Sequence, residues 1–497
     1  MYPALHDLLL APHIDSFNAL FHPEESILDA AVQNLEPREV VDAAGNRLRF
    51  WLEDVQVSKP MLSDKEHVSL NRFLLPREAR ERGVSYKGKM TGKLFWQVNN
   101  GPLREESRSF GALPIMVRAS KCHLNQLSAG KLVAKKEDPE ELGGYFIVNG
   151  IERIIRLLIV ARRNYPMALI RPSFAKRGPS YTNYGCQMRC VRPGDQTSQT
   201  IYLHYLNDGT LMVRLSFRKN EYLIPLILIL KALVDTDDRE IMEAIVQGDY
   251  ENTFLTGRVE GMLRDFKRFA IYTRHQALEF IGSRFAVVMN MPKDTPAVQV
   301  GEHFLHRLIM VHLPKENRSK FDALVFMAKK CYGLVSGKCT VDNPDSPMMQ
   351  EMLTSGLLYG QYLKEKFDDY MSAIQISLSS ELRKNPACLF TGDAAVFKKV
   401  FTSRVSADIG KKMEYFLATG NLVSNTGLDL QQVTGFTVVA EKLNFFRYLA
   451  HFRSVHRGAF FAELKTTTVR KLLPEAWGFL CPVHTPDGAP CGLLNHL

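Results

Sequence analysis

Tryptophan is scarce, with 3 in 497 residues, and so is cysteine, with 8. The cysteines (Cys122, Cys186, Cys190, Cys331, Cys339, Cys388, Cys481 and Cys491) lack the density and spacing of a secreted disulfide scaffold, so a reducing compartment is expected. Long apolar runs are missing too. The longest, Tyr222 to Leu230, ends at Lys231, far short of the ~20 residues a membrane-spanning helix needs. The stretch MYPALHDLLLAPHIDSF has no positively charged start and carries Asp7 and Asp15, so it does not read as a secretory signal. There is no GxxxxGK[ST] and no GxGxxG after a strand, so phosphate cradling by a glycine loop is unsupported. Internal repeats and low-complexity tracts are absent as well.

What is there is an ordered globular composition, 45% hydrophobic and 23% charged, in a chain too long for one core. Two to four domains are expected. Residues 12–34 read as helical. From Ala44, Leu48, Phe50 and Leu52 alternate on one face, the period of a half-buried strand. Tyr86 to Val98, Gly111 to Val117 and Gly143 to Gly150 read as further strands of a mixed sheet. Asn207-Asp208-Gly209 lies between two alternating runs and predicts a hairpin with a primed turn. Glu351 to Leu378 has the period of a long helix and Ala418 to Gly435 reads as loop. After it comes a helix expected to place Leu443, Phe446, Leu449 and Phe452 on one side. The fold class is α+β, multidomain, with mixed sheets and helices.

Catalytic constellations are thin. Asp235, Asp237 and Asp238 are the one dense carboxylate group; they could hold Mg²⁺, or they could cap a helix start, where acids complement the dipole. Asp342 and Asp345 read as turn residues. Cys481, His484, Cys491 and His496 are zinc-ligand types, yet Pro482, Pro486 and Pro490 stiffen the loop and the paired-cysteine knuckle is missing, which favours buried free thiols and a histidine that hydrogen-bonds locally. Cys186 and Cys190 read as a structural pair on one face of a strand.

Charge is more informative. The net charge is +10, and it is unevenly spread. Between Tyr145 and Arg192, nine basic residues (Arg153, Arg156, Arg162, Arg163, Arg171, Lys176, Arg177, Arg189, Arg192) face one acid, Glu152. Between Ala440 and Glu475, seven (Lys442, Arg447, Arg453, Arg457, Lys465, Arg470, Lys471) face Glu441, Glu463 and Glu475, with His451 and His456 among them. Such clusters are either a solvated face or a polyanion-binding surface. The predominance of arginine suits bidentate contact to phosphate or carboxylate.

PIMVRASKCHL (Pro114 to Leu124), GGYFIVNGIERII (Gly143 to Ile155) and, far downstream, TTTVRKLLPEAWGFLCPVHTPDGAPCGLLNHL occur in this order. Together they resemble the second-largest, β-like subunit of multisubunit DNA-dependent RNA polymerases, over essentially the whole chain. IRLLIVARRNYPMALIRPSF and the run from Phe452 to Gly488 resemble the RNA polymerase I form. The resemblance implies a protrusion domain over 1–165, a lobe over 166–318, a return of the protrusion over 319–405 and a fork over 406–497. The fork loops then match Ala418 to Gly435 and Arg453 to Lys465. Family members continue well past the last motif, so the chain is expected to be a shortened form or fragment.

The resemblance implies a subunit of a DNA-directed RNA polymerase, a nucleotidyltransferase making ribosomal RNA in the nucleus and nucleolus. Its partners would be the largest subunit, the other RNA polymerase I subunits, the DNA template and the RNA·DNA hybrid, with no membrane. Mg²⁺ in the assembled enzyme would be held mainly by the largest subunit, with no metal and no catalytic residue on this chain alone. The chain by itself is expected to polymerise nothing. Arg447, Arg453, His456, Arg457, Lys465, Arg470 and Lys471 become the candidate nucleic-acid contacts, and Asp487 matches an acidic position near the active centre. The alternatives are a stand-alone nucleic-acid-binding protein and a structural assembly module.

Overall fold

The computed structural model describes residues 3–43, 45–62, 73–291, 294–384, 399–400, 405–464 and 466–497. Two of the residues singled out in the sequence, Cys388 and Lys465, lie outside these described residues. Strands β1 (Arg38–Val41), β2 (Arg47–Val57), β3 (Lys87–Val98) and β4 (Arg104–Pro114) form an antiparallel meander. Leu48, Phe50 and Leu52 of β2 all point into the first core, as the two-residue period requires. The 30-residue helix Ser355–Lys384 packs on this core. Its Phe367 and Tyr370 meet Phe110 of β4 edge-on, with ring centroids 5.4 and 5.3 Å apart.

Residues 12–34 are not one helix. Pro3–Asn18 is helical, Ala19–Phe21 is a 3-10 turn, and a new helix runs over Ile27–Gln33. Pro23, with no amide hydrogen, falls in the gap, and Ser26 restarts the helix by accepting from the Asp29 amide at 3.0 Å.

Three short strands follow: β5 (Phe146–Val148), β6 (Ile151–Ile155) and β7 (Leu157–Ala161). A second sheet is then built from β8 (Met167–Ile170), β9 (Tyr181–Val191), β10 (Ser198–Leu206), β11 (Leu211–Phe217) and β12 (Asn220–Pro225), in the order β12-β11-β10-β9-β8. The expected hairpin is there between β10 and β11. Its turn is not of the primed kind: only Gly209 has positive φ, +88°, while Asp208 accepts from the Thr210 amide at 2.8 Å. Such a loop needs a single left-handed residue, which glycine supplies without strain. Helices from Leu226 to Val335 cover this sheet and complete a second core that contains Cys186, Cys190 and Cys331.

The chain then returns to the first core. β13 (Gln350–Leu353) pairs with β7, so the first residues of the expected long helix are strand. β14 (Thr437–Val439) pairs with β6, and β15 (Ser454–His456) lies parallel to β7 and antiparallel to β16 (Leu494–His496). The carboxyl-proximal segment is thereby fastened to strands that lie nearly 300 residues earlier. Ion pairs join the two cores: Glu351 bridges Arg163 (2.9 Å) and Arg189 (2.5 Å), Asp368 bridges Arg38 (2.5 Å) and Arg307 (3.5 Å), and Lys364 pairs with the buried Asp195.

Candidate nucleic-acid interface

Arg156 is the single residue between β6 and β7. Because β14 pairs with β6 and β15 with β7, the start of the first basic cluster, Arg153 and Arg156, is held against the segment that carries the second. The helix Phe445–Arg453 starts where Asn444 accepts from the Arg447 amide at 2.8 Å. That cap sets which face turns inward. Tyr448, His451 and Phe452 are buried, whereas Leu443 (82% exposed) and Phe446 (81%) face outward, correcting the sequence expectation that they would pack. The i, i+3, i+4 stripe begins at Tyr448, three positions after the helix begins.

Each candidate side chain has a definite position. Arg447 is exposed and donates through Nε and Nη2 to Glu441, both at 2.9 Å. Arg453 is half-buried; it donates to the Leu9 carbonyl at 3.3 Å, its Nε is sealed without a partner, and burial lowers its pKa. His456 is buried within β15, and burial first, then the Arg156 charge, lowers its pKa to about 4, so it is neutral at physiological pH. Arg457 pairs with Asp345 at 2.6 Å, donates to the Val469 carbonyl at 3.3 Å and sits 4.5 Å from the Phe461 ring centroid. Arg470 donates to the carbonyls of Ala489 (2.6 Å) and Cys491 (2.9 Å), tying down the loop that carries Asp487. Lys471 and Asp487 are exposed. Neither side chain has an ion pair or hydrogen bond among the described residues.

These positions divide the set. Arg457 and Arg470 are engaged in holding loops, and His456 carries no charge. Arg447 and Lys471 present charge to solvent. Against the strand junction lies a cavity of about 220 Å³ lined by Arg156, Arg447, His451, His484 and His496, among others. Sequence reasoning counted Arg156 in a cluster without assigning it a site; the signal was the nine-to-one charge imbalance.

The carboxylates offered as a metal site are otherwise engaged. Asp237 caps the helix Asp238–Val246 by accepting from the Glu240 amide at 2.7 Å, Asp238 pairs with Lys231 at 2.7 Å, and Asp235 accepts from the Arg274 amide at 3.3 Å. They do not fit Mg²⁺, which needs several free oxygens converging on one point. In the tail, the expected burial of the thiols does not hold, since Cys491 is exposed and Cys481 only partly covered by this proline-stiffened loop; the His484 amide donates to the Cys481 sulfur at 3.4 Å, and the rings of His484 and His496 stack at 3.5 Å. No three His, Cys, Asp or Glu side chains among the described residues are grouped as metal ligands.

Comparison with known proteins supplies the frame. The model of the family described as RNA polymerase beta subunit matches residues 8–403, and that of RNA polymerase Rpb2, domain 3, matches residues 438–497. The chain is 54% identical over 496 residues to the probable DNA-directed RNA polymerase I subunit RPA2 of Schizosaccharomyces pombe, covering 98% of this chain and 42% of that protein. It is 50% identical over 514 residues to DNA-directed RNA polymerase I subunit RPA135 of Saccharomyces cerevisiae, covering 100% and 42%. It is 42% identical over 494 residues to the RPA2 subunit of Homo sapiens, covering 99% and 42%. The chain thus spans 42% of the length of these relatives.

Proposed function

Since this chain belongs to the RNA polymerase beta subunit family, we propose that it works as part of the second-largest subunit of an RNA polymerase I-type enzyme, supplying protrusion (1–165 and 319–405), lobe (166–318) and fork (406–497). Its task is to position template DNA and the RNA·DNA hybrid beside an active centre housed on the largest subunit. The observation that carries this reading is the meeting of Arg156 from the first basic cluster with Arg447 from the second around one cavity at the β6–β7 junction; Arg447 and, further along the chain, the exposed Lys471 offer charge to a nucleic-acid backbone.

On this reading the enzyme joins the RNA 3′-hydroxyl oxygen to the α-phosphate of a nucleoside triphosphate as the α–β phosphoanhydride bond breaks and pyrophosphate leaves, and Mg²⁺ held mainly by the largest subunit would supply charge stabilisation. This chain's residues contribute orientation and positive potential, which are sequence-independent and sensitive to salt. Arg457 and Arg470 act indirectly, by fixing the loops that carry Lys471 and Asp487. The partners are the other RNA polymerase I subunits, and the place of work is the nucleolus.

The test is fluorescence anisotropy of a labelled RNA·DNA hybrid against the chain over a salt series. Affinity is expected to fall linearly in log–log form, and Arg447→Glu with Lys471→Glu should weaken binding and flatten the slope by about two units. Affinity indifferent to salt and to both changes would sink the proposal. The rival reading, an assembly module for protein neighbours, draws on the outward-facing Leu443 and Phe446; capture of other polymerase subunits with no hybrid affinity would favour it. Nucleotide incorporation by the chain alone would contradict the division of labour.

A further inference from the structure

Arg156 is half-buried, and its guanidinium makes no ion pair and no hydrogen bond to any described residue. Its Nε is sealed from water without a partner, so this unmatched arginine at a cavity wall favours a compensating anion. Around the same cavity stand Arg447 and His451 from the helix Phe445–Arg453, His484 from the following loop and His496 from β16. His451 is more than nine-tenths buried, and its Nε2 has no hydrogen bond; Glu441 lies 3.8 Å away, beyond hydrogen-bond distance. Among the described residues Glu441 is the one carboxylate within 4 Å of His451, and it is exposed and already shared with Arg447. The backbone is firm: Thr485 donates to the Leu494 carbonyl at 2.9 Å and accepts from the Gly492 amide at 2.9 Å, closing the His484–His496 wall.

We propose that this cavity binds a phosphate-class oxyanion, with the half-buried Arg156 as its anchor and Arg447 and His451 as further donors. At about 220 Å³ the space holds one phosphoryl group with water. Its donors come from two separate segments and His496 closes the wall from a third, so the arrangement exists only in the folded chain. The anion can come from two sources, a backbone phosphate of nucleic acid or a free phosphate; only the first rests on the function proposed above.

The test uses the 497-residue chain, inorganic phosphate by titration calorimetry, and a short RNA·DNA hybrid by anisotropy. Phosphate is expected to bind at one site, and Arg156→Gln to weaken it about tenfold or more, the worth of one charge-assisted hydrogen bond. Arg156→Lys should retain part of the affinity, and Arg239→Gln, on the exposed face of the helix Asp238–Val246 and outside the cavity, should leave it unchanged. Unaltered melting of Arg156→Gln serves as the folding control; should that variant melt early, Arg156→Lys carries the comparison, and phosphate affinity equal to wild type in it and in His451→Gln overturns the site. Competition between hybrid and phosphate identifies a backbone phosphate as the occupant, whereas independent binding identifies a free anion. Absence of phosphate binding at millimolar concentration, with hybrid affinity intact, overturns the cavity site and leaves the positioning role standing. Phosphate binding without hybrid affinity does the reverse.

Discussion

His456 and His13 are imidazoles that the fold holds without charge. Burial lowers both pKa values to about 4, against the ordinary 6.5, and nearby Arg156 and Arg453 add to the effect on His456 and His13 respectively. His13 sits under the helix Phe445–Arg453 with its Nε2 2.9 Å from the Phe452 carbonyl. Between pH 6.5 and 4 the unfolded chain takes up protons that the folded chain refuses, so stability is intact above pH 6.5 and declines as pH falls toward 4. Each histidine is expected to cost about 2 kcal/mol at pH 5. The urea midpoint at pH 7.5 and 5 measures it: the midpoint should drop on acidification, and His456→Gln should remove part of the drop. A midpoint constant over that range would refute the assignment.

Arg457 makes a second prediction at this scale. With its side chain 9% exposed, it pairs with the 20%-exposed Asp345 across 112 residues. Arg457→Ala should destabilise by about 2–3 kcal/mol, and a double-mutant cycle with Asp345→Ala should show coupling of about 1 kcal/mol or more; additive losses would mean that the pair is incidental. Neither role was readable in advance. The motif marked His456 and Arg457 as candidate nucleic-acid contacts, but what buries one and engages the other is the pairing of β15 with β7 and the return of Asp345, contacts no local pattern encodes.

Among elements, two glycines govern one helix crossing. A Cβ on Gly282, in the helix Arg274–Met289, would lie 1.7 Å from the Ala297 carbonyl oxygen, and one on Gly301, in the helix Ala297–Leu308, would lie 2.4 Å from that of Leu278. The backbones touch, so a methyl group must push the helices apart. Gly282→Ala should therefore destabilise by about 2 kcal/mol or more. Gly261 lies in the helix Thr253–Phe266 with open space around its Cβ position, and Gly261→Ala should stabilise by about 0.5–1 kcal/mol. Chemical denaturation of the two variants checks the contrast; shifts of the same sign would break the argument. Elements with a local signature were legible: the alternating β2, the Asp237 helix start and the Asp208-Gly209 turn position. The direction in which the helix Phe445–Arg453 faces was not, because it depends on where Asn444 begins the helix and on what packs beneath it.

Over the whole molecule, the large buried clusters among the described residues are two. One joins residues from Leu10 to Leu158 with residues from Leu353 to Phe452, and the other lies within Cys186 to Tyr332. Sequence composition could say that one core was too few, but not that the first would be closed by a segment returning after the second. That closure comes from the long helix Ser355–Lys384 and from β13, β14 and β15. Much of what joins the cores is electrostatic. In Glu351, burial works to raise the pKa, and Arg163 and Arg189 overcome it, leaving the carboxyl below its ordinary value. Asp368 is lowered against burial in the same way by Arg38 and Arg307, and Asp195 by Lys364 and Arg192. Carboxylates of lowered pKa stabilise above the ordinary carboxylate value and lose that contribution as pH falls through their folded values, so acid weakens the junction specifically. Two apolar cores joined by ion pairs should melt as two calorimetric units, because each buries its own apolar surface whether or not the other is folded. Scanning calorimetry is expected to show two overlapping transitions at neutral pH that separate further at a pH below the ordinary carboxylate range and in Glu351→Gln. A single transition with equal calorimetric and van't Hoff enthalpies at both pH values would mean that the cores fold as one, and that the bridges carry cooperativity rather than mark its limit.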